Sequence, residues 1–519
     1  MVVFNSATRD GRVMREAHSL RGAGHEVHVV GVPEPEAAAP AEILSDGIRV
    51  HRVDWLPEAQ KRAKRTALLR LLPVMILFFA ILFFLAEGMS HSRLGQQALS
   101  WALALRGVAL VAAIGAAALL VAAGLFVAKK SLGFVRRKMA KFAIRPVKHQ
   151  QTGGNHALLE PVRSRIPLWV PELALEIMLE PFHWIGGRAG RFVLYRYRTE
   201  IIANFVESLS PDIVHCHDCM ALPCGVAVKN SLGIPLVYDA HEIYEAAAAT
   251  RVGIVDYYAR IHARFLHEVS GFITINRSAA NYYRRAYPDA PEAVIIRNAA
   301  SKIAPFNYDG RLHAAAGLPR EQKILLYHGG FTAHRGLQEL VRASALLPEG
   351  WSLVLLGWGA LQPELESIAS SLRARDMAAA PKVVFVDRVP REELHLWSSG
   401  GAVGIIPYEN NVLNHWICTP NKLWEFPISG VPIIVQPFPE LRQVVETYSC
   451  GWLLPEEYSA QEIAKLVASL SDQDIEAARE RCVDFIAADN WEDTYERRLI
   501  EFYETLAKSN IGTKAQAQR

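Results

Sequence analysis

Cysteine is scarce in this chain and unevenly placed. Six cysteines occur among 519 residues, and Cys216, Cys219 and Cys224 form a close group. No second Cys-x-x-Cys pair follows this group, and a closed structural zinc site normally requires one. We therefore interpret the three residues as small buried thiols beside a strand end in a reducing compartment, and we expect no metal site.

Acidic residues are nearly absent from one segment, although the whole chain has a formal net charge of only +3. Between Lys61 and Lys148 there are fifteen Lys or Arg residues and a single acid, Glu87. These cations flank apolar runs and are not interleaved with aromatic residues. The pattern therefore argues against nucleic-acid binding and indicates a membrane surface.

Two long apolar runs lie inside this basic segment. Leu68–Ala86 is a 19-residue run interrupted by Arg70 and Pro73, and Gly107–Ala128 is a 22-residue run without a charge. As helices they would measure about 28 and 33 Å, close to the thickness of the hydrocarbon layer. The positive-inside rule places both basic flanks in the cytoplasm. We predict a transmembrane hairpin over residues 61–130 in the plasma membrane, with a buried helical pair or a re-entrant hairpin as the alternative.

Short apolar segments that read as strands alternate with helices of ten or more residues through most of the chain. This alternation is typical of a parallel sheet that helices cover on both faces. It begins with the predicted strand Met1–Ser6, which argues against a signal peptide, and starts anew at Leu318. We predict an α/β protein with two Rossmann-like doubly wound domains, the first of which contains the helical membrane hairpin as an insertion. The predicted bounds are 1–60 and 130–300 for the first domain, 61–130 for the hairpin, 301–485 for the second domain and 486–519 for a final helix.

A glycine-rich turn follows the first predicted strand of the second domain, in Ile324–Leu340 (ILLYHGGFTAHRGLQEL). Gly329, Gly330 and Gly336 would let the backbone come close to a phosphate, and a helix N-terminus offers free N–H groups. Arg335 adds a positive charge. Arg335 could instead be a surface residue at a helix start, but the helix dipole disfavours a cation there. These residues predict a phosphate-binding turn.

A short helix that carries a carboxylate follows in Pro420–Val435 (PNKLWEFPISGVPIIV). The carboxylate of Glu425 could accept two hydrogen bonds from a ribose or a sugar diol. Lys422 either reaches the phosphates or is an ordinary solvated helix residue. Together with the phosphate-binding turn, this helix predicts a nucleotide-sugar site.

The order and spacing of these motifs resemble the GT-B glycosyltransferases, and most closely glycosyltransferase family 4. Besides the two segments above, the resemblance is carried by RDGRVMREA, DIVHCHD, VYDAHEIY, LVLLGWG and VVFVDRVP, at residues 9–17, 212–218, 237–244, 353–359 and 383–390. The chain departs from the usual family pattern at Gly330, where an Arg is common, and at Ile417, where a Glu is common. A subset of the family has the Arg-Gly turn and the Asn-Lys-x-x-Glu helix found here, and we interpret the chain as that subtype.

The resemblance implies a role for each matching residue. It places Arg335 on the leaving diphosphate, Glu425 on the ribose, and His241 near the reacting sugar and the acceptor. The other expected donor-binding residues are Gly329, Gly330, Gly336, Gly357, Gly359, Asp387, Arg388, Val389, Asn421 and Lys422. The expected acceptor-side residues are Asp10, Arg12, His217, Asp218 and Glu242. Several of these positions also suit a structural role, such as helix capping by Asp10.

From the resemblance we expect a retaining, membrane-anchored transferase that moves a sugar from a nucleoside diphosphate to a lipid-linked or cell-envelope glycan acceptor. The resemblance also implies that the final helix crosses back onto the first domain. Nothing in the chain resembles the Asp-x-Asp motif with which other sugar transferases hold a divalent metal, so we expect no metal and no other cofactor. The alternatives are a nucleotide-sugar 2-epimerase-like enzyme and a non-catalytic, membrane-tethered nucleotide-sugar-binding protein. A nicotinamide-dependent oxidoreductase is disfavoured, because no Gly-x-Gly-x-x-Gly follows the first predicted strand.

Overall fold

We analysed a computed structural model of the chain, in which the described residues are 1–8, 10–33, 39–62, 188–247, 252–375 and 383–517. The chain divides into two compact units. The first comprises Met1–Asp54, Leu159–Trp169 and Thr199–Arg519, and the second comprises Trp55–Leu158 and Val170–Arg198. The first unit contains both sheets and the candidate site.

The predicted transmembrane hairpin, residues 61–130, lies outside the described residues except for Lys61 and Arg62, and it stays a prediction. Within the described ranges, no helix has both the length and the apolar character that a membrane span requires. The predicted domain boundaries also stay predictions.

The first sheet is built around the N-terminal segment. Its strands are β1 (His28–Gly31), β2 (Ala41–Ile43), β3 (Arg49–Arg52), β4 (Val214–His217), β5 (Leu236–Ala240), β6 (Gly271–Thr274) and β7 (Ala293–Ile295). They form one group ordered β1-β3-β2, in which β2 is antiparallel, and one parallel group ordered β4-β5-β6-β7. Val2 joins the groups by bridging Val30 and Cys216, and its N–H donates to the carbonyl of His215 at 2.7 Å. The N-terminal segment thus lies in the middle of the sheet.

The second sheet is entirely parallel. Its strands are β8 (Lys323–Gly330), β9 (Trp351–Trp358), β10 (Val383–Val386), β11 (Val403–Ile406), β12 (Ile433–Val435) and β13 (Gly451–Leu453). Their order is β10-β9-β8-β11-β12-β13, so the long strands β8 and β9 lie side by side. Parallel neighbours require crossover connections, which explains the helix between most successive strands.

Helices cover both sheets. Those of the first domain are α1 (Gly11–Gly22), α2 (Arg188–Ser208), α3 (Leu222–Leu232), α4 (Tyr244–Ala247), α5 (Val252–Phe265) and α6 (Arg277–Ala286). Those that follow are α7 (Arg311–Ala316), α8 (Leu337–Ala343), α9 (Gln362–Arg375), α10 (Leu394–Ser398), α11 (Leu413–Trp416), α12 (Lys422–Ile428), α13 (Pro439–Tyr448), α14 (Ala460–Ala468), α15 (Asp472–Ala488) and α16 (Arg497–Ala517). Their apolar faces explain why they pack: α14 buries Ala460, Ile463, Ala464 and Val467, which share one helical face.

The C-terminal region packs on the first sheet. The hydroxyl of Tyr503 on α16 lies 2.7 Å from Nδ1 of His215, and Nη1 of Arg498 donates to the carbonyl of Ile295 at 2.8 Å. Just before this helix, Nε1 of Trp491 donates to Oγ of Ser19 at 2.9 Å. The last helix and the segment before it therefore pack against the first domain.

The predicted α/β class with two Rossmann-like parallel sheets is confirmed, whereas some local predictions were wrong. In the described chain, Met1–Ser6 is no full strand, because Val2 forms only isolated bridges. Gly329 and Gly330 belong to β8 and not to a turn, since they pair with Gly357 and Trp358 of β9. The edge strand β2 escaped prediction because three residues are too few to show a strand pattern.

Candidate active site

A lysine lies over the end of the central strand of the second sheet. Nζ of Lys422, on α12, is 2.7 Å from the position that a Cβ atom on Gly329 would occupy. Gly329 has φ of +118°, which also disfavours any side chain there. Because Gly329 has no side chain, the ammonium group of Lys422 can lie against its backbone. A phosphate at this strand end would contact the ammonium group and the Gly329 backbone.

Arg335 and Lys422 converge on one aromatic ring. Cζ of Arg335 lies 4.0 Å from the ring centroid of Tyr408, and Nζ of Lys422 lies 5.8 Å from the same centroid. Burial raises the pKa of the Tyr408 hydroxyl, so the ring stays neutral and offers its face to both cations. Both cations thus lie beside the same tyrosine, and a diphosphate bound there would neutralise both.

Steric reasons explain the other glycines of the predicted donor site. A Cβ atom on Gly336 would lie 1.9 Å from the carbonyl oxygen of Pro407, and one on Gly357 would lie 2.1 Å from that of Gly329. A Cβ on Gly359 would likewise collide with backbone, at 2.3 Å. These glycines let the loops after β8 and β9 pack closely, and their role in shaping the crevice does not require direct contact with a ligand.

Glu425 lies one turn after Lys422 on the same face of α12. Its side chain is 24% exposed, and Oε2 lies 3.8 Å from Nδ1 of the buried His328. Burial raises the pKa of Glu425, while the positive charges of Lys422, Arg391 and Arg15 act in the opposite direction. Burial lowers the pKa of His328 well below its usual range, so this imidazole is neutral. The carboxylate can thus accept hydrogen bonds from a diol in the cleft.

The loop after β10 presents polar groups at the same edge of the sheet. Oδ1 of Asp387 accepts a hydrogen bond from the backbone N–H of Arg388 at 2.7 Å, and both residues are exposed. Val389 packs partly against the core. Cζ of Arg388 lies 5.4 Å from the ring of Trp358, which pairs with Gly330 in the sheet and is 52% exposed. A nucleobase extending from a diphosphate at β8 would reach these groups, although the sequence analysis did not identify Trp358.

On the first domain, His241 follows β5 and lies between two carboxylates. Its Nε2 is 3.0 Å from Oδ2 of Asp239, and its Nδ1 is 3.2 Å from Oδ1 of Asp218. Burial alone lowers the pKa of His241, but the two carboxylates outweigh it and raise the pKa to about 9. The imidazole is therefore charged at neutral pH and donates from both nitrogens. A charged imidazole at this place offers hydrogen-bond donors to the cleft.

Asp218 and His217 each contact the imidazole of His241. Asp218 has φ of +68°, which is rare for a residue with a side chain, and its Oδ1 also accepts a hydrogen bond from the Tyr244 hydroxyl. His217 is fully buried, with Nδ1 3.2 Å from Nε2 of His241. The strained backbone and the buried ring position His241, as is common where geometry must be held for function.

Arg12 of helix α1 is buried in the interior, where it forms an ion pair with Asp239. Nε and Nη2 of Arg12 donate to Oδ2 and Oδ1 of Asp239 at 2.7 and 2.8 Å, and Nη1 donates to the carbonyl of Ile296 at 2.8 Å. Arg12 is only 4% exposed. Its guanidinium is thus committed mainly to a bidentate ion pair that orients Asp239, and through it His241.

Four buried side chains near this pair could hold a metal ion, a grouping the sequence analysis did not identify. Glu16, His215, His217 and Asp239 place ligand-type atoms within 4.8 Å of one another. However, Nε of Arg12 lies 3.2 Å from Glu16 and 2.7 Å from Asp239, so a cation already lies beside both carboxylates. Burial and the Asp239 charge raise the pKa of Glu16 to about 8, and burial lowers the pKa of both histidines. The Arg12 guanidinium thus already supplies one positive charge to this group, and the expected absence of a metal stays a prediction.

The chain does contain one Asp-x-Asp sequence, which the sequence analysis overlooked. Asp472 and Asp474 form an Asp-x-Asp sequence at the start of α15. Oδ2 of Asp474 accepts a hydrogen bond from the backbone of Ser471 at 3.0 Å in a capping box, and Asp472 pairs with Lys323. Both carboxylates thus stabilise a helix start and a surface ion pair.

Asn414 of α11 connects the two domains at the cleft. Its Nδ2 donates to Oε2 of Glu242 at 2.9 Å, and its Oδ1 accepts from the backbone N–H of Ile243 at 3.0 Å. Burial and the charge of Asp218 raise the pKa of Glu242. The predicted acceptor-side residue Glu242 is therefore engaged in a contact between the domains.

A polar cavity of about 410 Å³ opens between the two sheets. It is lined by Asn5, Ser6, Asp10, Gly11, Arg12, Arg15, His241, Asn298, Arg391 and Asn421. Asp10 caps α1: its Oδ1 accepts from the N–H groups of Arg12 and Val13 at 3.1 and 3.2 Å, and its Oδ2 accepts from Nδ2 of Asn5 at 2.9 Å. Residues from both domains thus form one chamber beside His241.

Two segments of the chain match known protein families. Residues 158–299 match the glycosyl transferase 4-like domain, and residues 322–473 match the glycosyl transferases group 1. The two matches together cover more than half of the chain. The chain belongs to the group 1 glycosyltransferases. Enzymes of this family depend on nucleotide sugars.

One curated protein and one solved structure are similar to this glycosyltransferase. An uncharacterized glycosyltransferase of Methanocaldococcus jannaschii is 25% identical over 266 residues, which are 47% of this chain and 62% of the relative. The match thus spans less than two thirds of that curated relative. The solved structure of sucrose-phosphate synthase from Thermosynechococcus elongatus covers 98% of both chains at 13% identity, with a TM-score of 0.59. This likeness shows the shared GT-B fold.

The sequence analysis missed several residues of the glycosyltransferase that the fold brings to the cleft. Arg15 lies one helical turn after Arg12 on α1, so helical periodicity could have revealed it. Arg391 and Asn414 lie in short elements of the second domain, where no motif marks them. Asn298 follows β7 and lies beside Arg12, with Oδ1 3.2 Å from Nη1.

Proposed function

We propose that this glycosyltransferase moves a sugar from a nucleoside-diphosphate sugar to an acceptor in the cavity, with retention of the anomeric configuration. The proposal rests above all on the convergence of Arg335 and Lys422 on Tyr408 beside Gly329. Cations at that place would bind the diphosphate and stabilise the charge that develops on it as the glycosidic bond breaks. Glu425, on the helix of Lys422, would hold the ribose.

The carboxylates near the cavity support a mechanism without a protein nucleophile. Among the described residues that line the cavity, Asp10 is the only carboxylate, and both its oxygens accept hydrogen bonds. Asp239 lies behind the cavity in the bidentate ion pair with Arg12. We infer that the acceptor hydroxyl attacks the anomeric carbon on the face that the diphosphate leaves. The bond to the acceptor oxygen forms, the bond to the phosphate oxygen breaks, and the hydroxyl proton passes to the leaving diphosphate.

His241 would act in this reaction as a fixed charge. With its pKa raised to about 9, the imidazolium persists through the neutral range and faces the cavity. It can donate a hydrogen bond to an oxygen of the sugar or the acceptor and stabilise negative charge nearby. Deprotonation of the acceptor is left to the departing phosphate.

The donor test compares Arg335→Gln with Arg497→Gln, a change at an exposed arginine of α16. Membranes that contain the full chain are incubated with radiolabelled nucleotide sugars, and transfer of the label is followed. Arg335→Gln should lower kcat/KM by about 10²–10³-fold, as loss of one charge-stabilising donor does elsewhere, and Arg497→Gln should leave it unchanged. Glu425→Gln should raise the donor KM.

Three outcomes would contradict the proposal. Full activity of Arg335→Gln would contradict the assignment of the donor diphosphate to Arg335. Release of free sugar and nucleoside diphosphate without an acceptor would indicate the 2-epimerase-like alternative. Binding of nucleotide sugars without turnover in every condition would indicate a non-catalytic binding protein.

We further propose that the acceptor is a membrane-associated or cell-envelope glycan and that the enzyme is anchored in the plasma membrane. The support is the sequence between Lys61 and Lys148, where basic residues flank two long apolar runs. Deletion of residues 67–128 should release the protein from the membrane fraction, which centrifugation and immunoblotting would measure. Unchanged sedimentation with membranes would contradict the anchor.

A further inference from the structure

Two arginines face the cavity without an ion-pair partner among the described residues. Arg15 extends from α1 of the first domain, and Arg391 begins the turn after β10 of the second domain. No carboxylate oxygen of the described chain lies within 4.0 Å of either guanidinium. Arg12, in the same cavity wall, differs because Asp239 neutralises it at 2.7 Å.

Both guanidinium groups lie against neighbouring residues. Nη1 and Nη2 of Arg391 would lie 1.9 and 2.4 Å from a Cβ atom on Gly11, so Arg391 lies flat against the first peptide of α1. Nη1 of Arg15 donates to the carbonyl of Ala299, and Cζ lies 5.2 Å from the ring of Trp491. The contacts of Arg15 restrict its side chain, so little ordering of this residue remains to be done when a ligand binds, whereas Arg391 is exposed beside Gly11.

Arg15 and Arg391 line the same cavity, and the charge of Arg391 acts on Arg15. Burial, together with the charges of Arg391 and Arg12, lowers the pKa of Arg15 to about 10, although the carboxylates of Glu16 and Glu425 act in the opposite direction. Arginine remains charged under these conditions, so the repulsion persists at neutral pH. An anion between the two guanidinium groups would relieve it, and the planar forks suit bidentate binding of phosphate or carboxylate.

The rest of the cavity wall suits a saccharide. The side-chain amides of Asn298 and Asn421 and the hydroxyl of Ser6 supply donors and acceptors, whereas the amide of Asn5 already bonds Asp10 and the backbone of Ala7. The carboxylate of Asp10 is occupied as the cap of α1 and so offers an anion little competition for the arginines.

We infer that the acceptor is an anionic saccharide whose phosphate or carboxylate group is bound between Arg15 and Arg391. This inference rests on the proposed function, because it assigns the donor diphosphate to Arg335 and Lys422. In the competing assignment Arg391 binds the donor diphosphate. It would then take the place of the arginine that is common in the family at the position of Gly330.

Binding of the bare anions separates these assignments without knowledge of the natural acceptor. The purified full-length protein is titrated calorimetrically with inorganic phosphate and, separately, with acetate. Wild-type protein should bind phosphate at two independent sites. Arg335→Gln should weaken one site, and Arg15→Gln and Arg391→Gln should each weaken the other by at least about tenfold, while Arg497→Gln changes neither. Acetate binding at the second site would extend the class to carboxylates, and its absence would restrict it to phosphates.

Three results would overturn the inference. These are no phosphate binding by the wild-type protein at millimolar concentration, loss of both sites in Arg335→Gln, and weakening by Arg391→Gln of the same site that Arg335→Gln weakens. Once transfer is detected, Arg15→Gln and Arg391→Gln should raise the acceptor KM and leave the donor KM unchanged. If no nucleotide sugar is ever turned over while the second phosphate site persists, the proposed function fails and the anion site stands.

Discussion

The charge state of the network behind the cavity can be tested by removing one charge at a time. Asp239 is fully buried and pairs with Arg12 at 2.7 and 2.8 Å and with the protonated His241 at 3.0 Å. Asp239→Asn keeps the shape but leaves the buried Arg12 and the partly buried His241 without their shared anion. Breaking a buried pair in this way should lower the free energy of unfolding by about 3–5 kcal/mol. Guanidinium denaturation of the full chain, followed by tryptophan fluorescence, measures the loss.

The matched control is Glu16→Gln, a second acid-to-amide change in the same buried cluster. The pKa of Glu16 is raised to about 8, so its carboxyl group is protonated at neutral pH and the amide replaces a neutral group. Below a pH of about 4.5, where the folded and the unfolded chain both hold this proton, the change should therefore alter the free energy of unfolding by about 1 kcal/mol or less.

The pH dependence provides the refuting measurement. A carboxyl group whose pKa is raised on folding contributes stability that is fully present below its unfolded pKa and is lost as pH rises through about 8. This loss accumulates between 4.5, the ordinary value for glutamate, and about 8, so Glu16→Gln should gain stability relative to the wild type over that range and keep a constant advantage above it. If Glu16→Gln costs as much as Asp239→Asn at pH 7, Glu16 is ionised and the charge assignment is wrong.

The architecture could be predicted because it depends on local patterns. Apolar strands alternating with helices specify parallel sheets, and parallel sheets collect their functional residues at one edge. His241 after β5 and Glu425 beside Lys422 on α12 were therefore accessible to sequence reasoning. Their roles in binding and catalysis stay predictions.

Long-range partners could not be predicted, because local sequence does not encode them. Arg12 and Asp239 are separated by 227 positions, and the Asn414 contact with Glu242 spans 172. The pairing that orients His241 and the contact between the domains follow only from the folded chain. Gly329 shows a related limit: glycine suggested a turn, whereas the residue ends a strand so that Lys422 can approach.

Three further predictions follow from the cleft. Gly336→Ala should lower the free energy of unfolding by at least about 1 kcal/mol, measured by denaturation, because φ is +69°. Transfer should decline as pH rises through about 9, where His241 loses its charge, and a pH–rate profile of His241→Gln should lack that decline. Asn414→Ala removes the hydrogen bonds to the Glu242 carboxylate and the Ile243 amide, which join the two domains. It should cost roughly 1–3 kcal/mol of stability, and it should also lower kcat/KM because the cleft closes less well. If denaturation shows the loss of stability while kcat/KM is unchanged, Asn414 stabilises the fold and has no part in aligning the substrates.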